Sequence, residues 1–325
     1  MNTVSIGAIA YSVTKVKKDE FAEKKIPLMG VAGALIFAGQ MINVTIPGTG
    51  SSGYIGGGIL LAGLLGGVPA FLSIAAVLII QCLFFADGGL LALGCNIFNM
   101  GIIPCLIIYP LLFKPLLKKI TYPRLTLAAI ISVIAGLELG AFSVVVQTLA
   151  SGITELPFEI FTTLMLPIHF AIGFVEGLVT ASVLCFVYHM RPETLENVHA
   201  GQRIGNNISI KKIVVGFAVI TVLMGGVLSI FVSSHPDGLE WSIEKITGNI
   251  ELEADRSIYE NAAAIQESTV IFPDYGFSDS GEEGRPVGTS ISGIAGAVVA
   301  FILAAVSGLV ISKIKKGKKK IGASI

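Results

Sequence analysis

Charged residues are scarce in this chain. They make up 14% of its 325 residues, whereas soluble globular domains carry about 25%. Hydrophobic residues account for 53%, and the mean hydropathy is +0.82. The formal net charge is zero, and lysine and arginine occur in short runs beside apolar segments, a pattern that gives no support to nucleic-acid binding. The composition therefore predicts an integral membrane protein.

Residues and motifs that usually carry out chemistry are equally sparse. The sequence contains no HExxH, GxSxG or GxxxxGK(S/T) motif, so we expect neither an enzyme of those classes nor ATP binding through a phosphate loop. Its four cysteines have no CxxC spacing, and we interpret them as small buried hydrophobic residues. We also expect no permanently bound cofactor. If the chain takes part in active transport, partner proteins must supply the energy.

Apolar segments recur at lengths that suit a membrane, since about 20 residues of helix cross the hydrocarbon core. We predict an all-α polytopic membrane protein with nine spans, at about residues 1–14, 27–46, 55–66, 68–86, 93–113, 125–148, 160–188, 213–233 and 290–312. The first is short, which favours the hypothesis that translation starts upstream. The predicted domains are a seven-helix unit at 1–190, a cytoplasmic linker at 191–212 and a two-helix unit at 213–325.

Positive charges divide the loops into two groups. Nineteen of the 22 Lys/Arg residues fall in 15–25, 114–124, 189–212 and 313–325, which nine crossings place on one side. By the positive-inside rule this side is cytoplasmic. We therefore expect the N-terminus and the loop at 234–289 outside the cell membrane and the C-terminus inside.

The outer loop at 234–289 is the most acidic part of the sequence. It carries twelve of the 22 acidic residues against three basic ones. Such a loop can attract cations through its field, but a charge run is just as often a solvated surface. Both interpretations remain open.

Polar residues interrupt the apolar segments near two glycine-rich stretches, QMINVTIPGTGSSGYIGGG (40–58) and FFADGGLLALGCNIFNMG (84–101). Polar groups at membrane depth are costly unless they have partners. We therefore predict that five of them belong to a substrate pocket: Gln40, Asn43, Asp87, Asn96 and Asn99. The glycines by themselves are typical of close helix packing.

Three ionisable residues lie inside predicted spans. His169 and Glu176 are seven positions apart, so they lie on nearly one helix face, about 10 Å from each other. Glu138 lies in the preceding span. We interpret all three as inward-facing groups with a structural or switching role, and metal ligation is the alternative. His235, at the start of the outer loop, is either an ordinary surface residue or a transient metal ligand.

Several stretches resemble one family of transporters. IPGTGSSGYIGGG (46–58), QCLFFADGGLLALGCNIFNMG (81–101) and LPIHFAIGFVEGLVTA (166–181) are similar to the cobalt/nickel substrate-specific component, of the CbiM/NikM type, of energy-coupling-factor ABC transporters. The motif PDGLEW (236–241) is similar to the CbiN/NikN-type accessory subunit, here fused behind the first unit. Its five defining residues are Pro236, Asp237, Gly238, Leu239 and Glu240.

The resemblance implies uptake of Ni(II) or Co(II), driven by a transmembrane coupling subunit and two ATPase subunits. It also implies a metal site at the outer mouth, held by a Met-His start and by a histidine after Ser-Gly in the glycine-rich turn. This chain instead has Met1-Asn2 and Ser52-Gly53-Tyr54, so both imidazoles are absent from those positions. A phenol with a pKa near 10 is a poor substitute, because imidazole nitrogen suits these metals.

The sequence leaves the chemistry of the pocket open. The first interpretation is a metal pocket whose assigned residues are Tyr54, Ser52, Gly53, Gln40, Asn43, Asp87, Asn96 and Asn99. A second is a scaffold that assembles with the coupling subunits but binds no metal, and a third is a transport component for a different small molecule. A fourth is an intramembrane hydrolase built on His169, Glu176 and Asp87, which requires these groups to come within hydrogen-bonding reach.

Overall fold

The computed structural model describes residues 1–18, 22–152, 156–201, 211–250, 257–276 and 285–321. Parts of the predicted segments at 15–25, 191–212 and 234–289, and the end of the tail at 313–325, lie outside these residues. The helices, numbered in chain order, are α1 (Asn2–Lys18), α2 (Ala22–Gln40), α3 (Gly58–Leu65), α4 (Gly67–Phe85), α5 (Leu93–Leu116), α6 (Tyr122–Ser151), α7 (Phe158–Met190), α8 (Pro192–Ala200), α9 (Lys211–Gly226), α10 (Gly238–Thr247), α11 (Ser257–Glu267) and α12 (Arg285–Ile321). Short 3-10 turns cover Leu228–Phe231 and Pro273–Tyr275.

Five of the described helices are long and apolar enough to cross a membrane. They are α4, α5, α6, α7 and the Gly288–Val306 part of α12, and they cover the corresponding predicted spans. The all-α membrane fold is therefore confirmed, and the chain is a multi-pass membrane protein. The division into seven plus two spans stays a prediction, because α2 contributes a shorter apolar stretch (Ile26–Gln40) and α9 has 16 residues.

The predicted span at 27–46 ends earlier than expected. Helix α2 stops at Gln40, and Val44–Ile46 (β1) pairs antiparallel with Ser51–Gly53 (β2) in a short hairpin. Gly48 and Gly50 in the turn have φ angles of 79° and 76°, which glycine adopts without strain. The prediction of helix up to residue 46 is wrong, because this glycine-rich turn reverses the chain and the strands pair.

The predicted span at 55–66 is helical only in its second part. Residues 54–57 are not helical, and α3 comprises eight residues, all buried. Eight helical residues extend about 12 Å, too little for a hydrocarbon core of about 30 Å. Non-helical backbone at membrane depth is stable only where protein groups satisfy it. Here Gln40 Nε2 donates to the Gly56 carbonyl (3.0 Å) and Glu176 Oε1 accepts the Gly57 N–H (2.8 Å).

The acidic segment at 234–289 contains ordered structure where the sequence suggested a loop. Helices α10 and α11 lie within it. It folds back onto the hairpin and onto the end of α4. Ser52 Oγ donates to the His235 carbonyl (2.8 Å), and Tyr275 donates to Asp87.

Two helices of the second unit, α9 and α12, pack against the first unit. Gly296 of α12 faces Phe37 of α2 so closely that a side chain at this glycine would collide with the ring, and the backbones of Gly225 in α9 and Gly293 in α12 are in similarly close contact. Small residues at such crossings are typical of membrane helix packing. The described helices of both units therefore form one bundle.

The ends of the bundle separate the two groups of loops. One end collects the hairpin, the 86–92 turn and the described residues of the following segment, 233–250 and 257–276. The other collects 114–124 and 189–200, where the Tyr122 hydroxyl lies 3.4 Å from His189 Nδ1 and the Tyr188 hydroxyl donates to the Ile120 carbonyl (3.2 Å). This grouping agrees with the partition that the charges predict.

Candidate functional site

The glycine-rich hairpin is covered by the segment that precedes α10. Ser52 donates its backbone N–H to the Pro236 carbonyl (2.8 Å), and Ser233 donates its N–H to the Asn43 carbonyl (2.9 Å). Ser51 and Ser52 are fully buried beneath this segment. Backbone pairing of this kind fixes the register of the two segments. We call the contact of residues 233–241 with the hairpin and α7 the PDGLE contact.

The PDGLE motif builds the start of α10. Asp237 is the N-cap residue, and its Oδ1 accepts the N–H groups of Leu239 and Glu240, both at 2.9 Å. Glu240 Oε2 accepts the Asp237 N–H at 3.1 Å, which completes a capping box. Burial raises the pKa of the Asp237 carboxyl above its ordinary value, although the two N–H donors lower it. The motif is therefore a helix start built on a partly buried acidic cap.

The glycine of the motif allows close approach to α7. A Cβ atom at Gly238 would lie 2.9 Å from His169 Cε1 and 3.0 Å from Ile172 Cδ1, closer than side-chain packing tolerates. Leu239 packs beside Met165 and Phe161 of α7. A single turn of α10 thus lies directly on His169.

His169 has a defined orientation. Its Nδ1 lies 2.8 Å from the carbonyl oxygen of Met165. Because a carbonyl only accepts, Nδ1 carries the proton, and in the neutral imidazole Nε2 then keeps its lone pair. Metal-binding histidines are usually held in this way by a hydrogen bond from the other ring nitrogen.

The side chain of Glu176, a residue of α7, lies at the start of α3. It is 4% exposed, and its Oε2 has no hydrogen-bond partner. The positive end of a helix favours an anion, and broken membrane helices present such ends to polar groups in other transporters. Gly56 brings the backbone close to this carboxylate, since a Cβ there would lie 3.4 Å from Oε2.

A third polar group comes from α5. Asn99 Oδ1 accepts a hydrogen bond from Gln147 Nε2 (3.0 Å), which also donates to Ser143 Oγ (2.7 Å). Sequence reasoning missed Gln147. The available signal was a polar residue in the 125–148 span, one of the features that mark functional positions in membranes.

These elements enclose a cavity of about 170 Å³, far more than the roughly 10–15 Å³ that one water needs. Its walls come from residues 53–59, α5, α6, α7 and the PDGLE motif. The polar side chains in the lining are Tyr54, Asn96, Asn99, His169, Glu176 and Asp237.

The other predicted pocket residues lie outside this lining. Gln40 acts through the Gly56 carbonyl, Asn43 and Ser52 lie in the PDGLE contact, and Asp87 accepts a hydrogen bond from Tyr275. The His235 backbone bonds to the hairpin, and its side chain is exposed. Glu138 is also absent from the lining, as are the sulfur atoms of the four cysteines.

The predicted hydrolase triad does not form one group around the cavity, because Asp87 is bonded to Tyr275 and only His169 and Glu176 reach the lining. Among the described residues, no three His, Cys, Asp or Glu side chains converge in a way that could hold a metal ion. Tyr54, at the position of the expected histidine, has its hydroxyl 3.9 Å from the Met100 sulfur. A bound cation would therefore need neutral oxygen ligands or water beside any His or acidic ligand.

Comparisons with known proteins agree with this architecture. The family model "Cobalt uptake substrate-specific transmembrane region" (CbiM) matches residues 1–194, and the "PDGLE domain" model matches residues 211–313. A putative fused nickel transport protein, NikMN, from Archaeoglobus fulgidus is 30% identical over 302 residues, which is 92% of this chain and 90% of that protein.

Other relatives match a smaller share of the chain. A probable fused nickel transport protein, LarMN, from Lactiplantibacillus plantarum is 33% identical and covers 52% of this chain and 54% of its own length. A crystal structure of a transition metal transporter has a TM-score of 0.50 and 28% identity, and the match covers 62% of this chain and 91% of that chain.

The helical membrane fold, the enclosed polar cavity and these relatives define a transport component and not an enzyme. The chain belongs to the CbiM family of cobalt-uptake transmembrane proteins, and it carries a PDGLE domain in its second part.

Proposed function

We propose that this chain is the substrate-binding component for uptake of Ni(II) or Co(II), and that the ion is held in the cavity beneath the PDGLE contact. The family and the names of the nickel and cobalt relatives support this choice of substrate. The substrate unit comprises residues 1–190, and the unit at 213–325 covers the mouth of the cavity.

One observation carries the proposal for this particular chain. His169 Nε2 keeps its lone pair, because Nδ1 is engaged by Met165, and the imidazole lines the cavity that Asp237 closes from the second unit. His169 is therefore the nitrogen ligand that replaces the two imidazoles missing at the start and at Tyr54. Asp237 supplies negative charge at the same opening, and Glu176 supplies it deeper inside.

The same arrangement supports uptake from outside. The cavity lies at the end of the bundle that carries the described parts of the acidic 234–289 segment, and the basic loops at 114–124 and 189–200 lie at the other end. By the positive-inside rule the cavity then opens away from the cytoplasm, with the N-terminus outside and the C-terminus inside the cell membrane. With no phosphate loop in the sequence, energy comes from a transmembrane coupling subunit and ATPase subunits.

Isothermal titration of NiCl2 and CoCl2 into the purified full chain tests the proposal. We expect saturable binding of at least one ion, and His169→Gln should weaken it at least tenfold, about the lower limit for disturbing the groups around a metal. The matched control is His235→Gln, because this imidazole is exposed at the same end but lies outside the cavity lining. Equal affinities of the two variants would contradict the role of His169.

A different small molecule is the second candidate cargo. It is favoured by the absence of a three-ligand cluster among the described residues and by the tyrosine facing Met100. Native mass spectrometry of the purified chain distinguishes the candidates. A retained organic mass with no binding of either ion would favour the second, whereas a metal adduct that His169→Gln removes would favour the first.

A further inference from the structure

A second part of the PDGLE domain lies away from the motif, on the end of α4. We call the docking of residues 266–275 on residues 82–90 the α4 contact. Its central side chain is Gln266 at the end of α11. Gln266 Nε2 donates to the carbonyls of Cys82 and Gly88, both at 2.9 Å, and Oε1 accepts the Leu90 N–H at 3.4 Å. One amide therefore bonds one carbonyl in the last turn of α4 and two backbone groups of the turn that follows it.

Two more carbonyls at the end of α4 are engaged by the same segment. Thr269 Oγ1 donates to the Leu83 carbonyl (2.8 Å), and the N–H groups of Ile271 and Phe272 donate to the Phe84 carbonyl (2.9 and 3.1 Å). The last carbonyls of any helix lack partners within it, and leaving them unpaired near a membrane is costly. The segment at 266–275 therefore acts as the C-terminal cap of α4.

The turn held by Gln266 contacts a residue that lines the cavity. Gly88 has a φ of 77°, and an added Cβ there would lie 2.8 Å from Nδ2 of Asn96. Asn96 is one of the six polar residues that line the cavity. A shift of the turn at Gly88 would therefore displace Asn96 or leave a gap beside it.

We propose that Gln266 is a positioning residue for the cavity. It holds the 86–92 turn in the conformation that places Gly88 against Asn96, so the PDGLE domain shapes the cavity at a second point, without touching the cargo. This inference rests on the proposed function for its effect on cargo, but the positioning itself does not depend on which cargo is bound.

The test compares Gln266→Ala and Gln266→Glu with Asn261→Ala in the full chain. Asn261 is an exposed amide on the same helix, so its loss controls for any general weakening of α11. Glutamate can accept from Leu90 but cannot donate to the two carbonyls, so it should behave like alanine. Amide hydrogen exchange of residues 86–96 is measured without metal, and Ni(II) and Co(II) dissociation constants are measured on the same samples.

We expect both Gln266 variants to exchange about three- to tenfold faster in residues 86–96, as the loss of one net hydrogen bond implies, while residues 238–247 stay unchanged. The dissociation constant should rise by a similar factor. Unchanged exchange in 86–96 would overturn the positioning, and faster exchange with an unchanged dissociation constant would show a merely structural contact.

If the wild-type chain binds neither ion, the metal proposal fails by itself. The exchange data still decide in that case whether Gln266 holds the 86–92 turn: faster exchange confined to 86–96 supports this part of the inference, and a pattern equal to that of Asn261→Ala overturns it.

Discussion

Besides its membrane helices α9 and α12, which pack on the first unit within the bundle, the PDGLE domain contacts that unit in two further places, and these two contacts work differently. In the PDGLE contact, backbone meets backbone and Gly238 lies on His169, so the domain itself forms part of the cavity wall. In the α4 contact, aromatic rings and side-chain amides meet the end of a helix. Phe85 lies 4.9 Å from Tyr275 and 6.0 Å from Phe272 between ring centroids, and none of these rings reaches the cavity.

This difference indicates that the α4 contact anchors the domain on the first unit, whereas the PDGLE contact closes the cavity. The α4 contact buries Phe85 among the rings of Phe37, Phe272 and Tyr275, so we expect it to contribute strongly to the stability of the folded chain. The PDGLE contact combines backbone hydrogen bonds with the packing of Leu239 and Trp241, and we expect it to act as a cover that opens for the cargo. Substitutions in the α4 contact should therefore lower stability, and substitutions in the PDGLE contact should mainly change cargo binding.

The largest expected effect on stability comes from Phe85→Ala. Phe85 is 2% exposed and also packs on Phe37, with centroids 5.2 Å apart. Truncation of a buried phenylalanine costs about 3–5 kcal/mol, so the free energy of unfolding, followed by denaturation in detergent, should fall by about that much. Phe186→Ala, at a ring that is 45% exposed, is the control and should cost far less. Equal losses would show that the α4 contact does not anchor the domain.

The second prediction concerns the PDGLE contact. Gly238→Val places atoms against His169 and Ile172, and overpacking of this kind costs about 1–3 kcal/mol. We expect a smaller loss of stability than for Phe85→Ala but a larger loss of Ni(II) or Co(II) affinity, both measured on the same preparation. Gly216→Val is the control, because a Cβ there meets no atom within 4 Å. A variant that binds normally would show that the PDGLE contact does not close the cavity.

Much of this arrangement could be predicted from the sequence. Apolar length located α4 to α7 and α12, and the cost of polar groups in a membrane selected Asn96, Asn99, His169 and Glu176 before their contacts were known. These four line the cavity. The motif at 236–241 indicated the accessory domain, and its Asp and Glu form the capping box that this spacing favours.

The rest could not be predicted, because it depends on contacts between distant segments. Gln266 and Gln147 look like ordinary polar residues in the sequence, and only the fold brings Gln266 to Cys82, 184 positions away. The hairpin at 44–53 was missed because Val44 and Ile46 continue the apolar residues of the preceding span, so helix was predicted up to residue 46. Asp87 was assigned to the pocket because it lies in a glycine-rich stretch between apolar segments. The hydrogen bond from Tyr275 instead makes it part of the α4 contact.

The smallest expected effect concerns the charge of Asp237 in the PDGLE contact. Burial raises the pKa of Asp237 in the folded protein, so the fold favours the neutral carboxyl. Its contribution to stability is complete below the unfolded pKa of about 3.9 and is lost as pH rises through the higher folded pKa. Asp237→Asn keeps a good N-cap but cannot ionise. The difference in unfolding free energy between wild type and variant should therefore move in favour of the variant from about pH 4 upward. Phe272→Leu in the α4 contact should leave this pH profile unchanged. A pH-independent difference for Asp237→Asn would mean that the acid at the cover is solvated, and the PDGLE contact would then be as open as the rest of the surface.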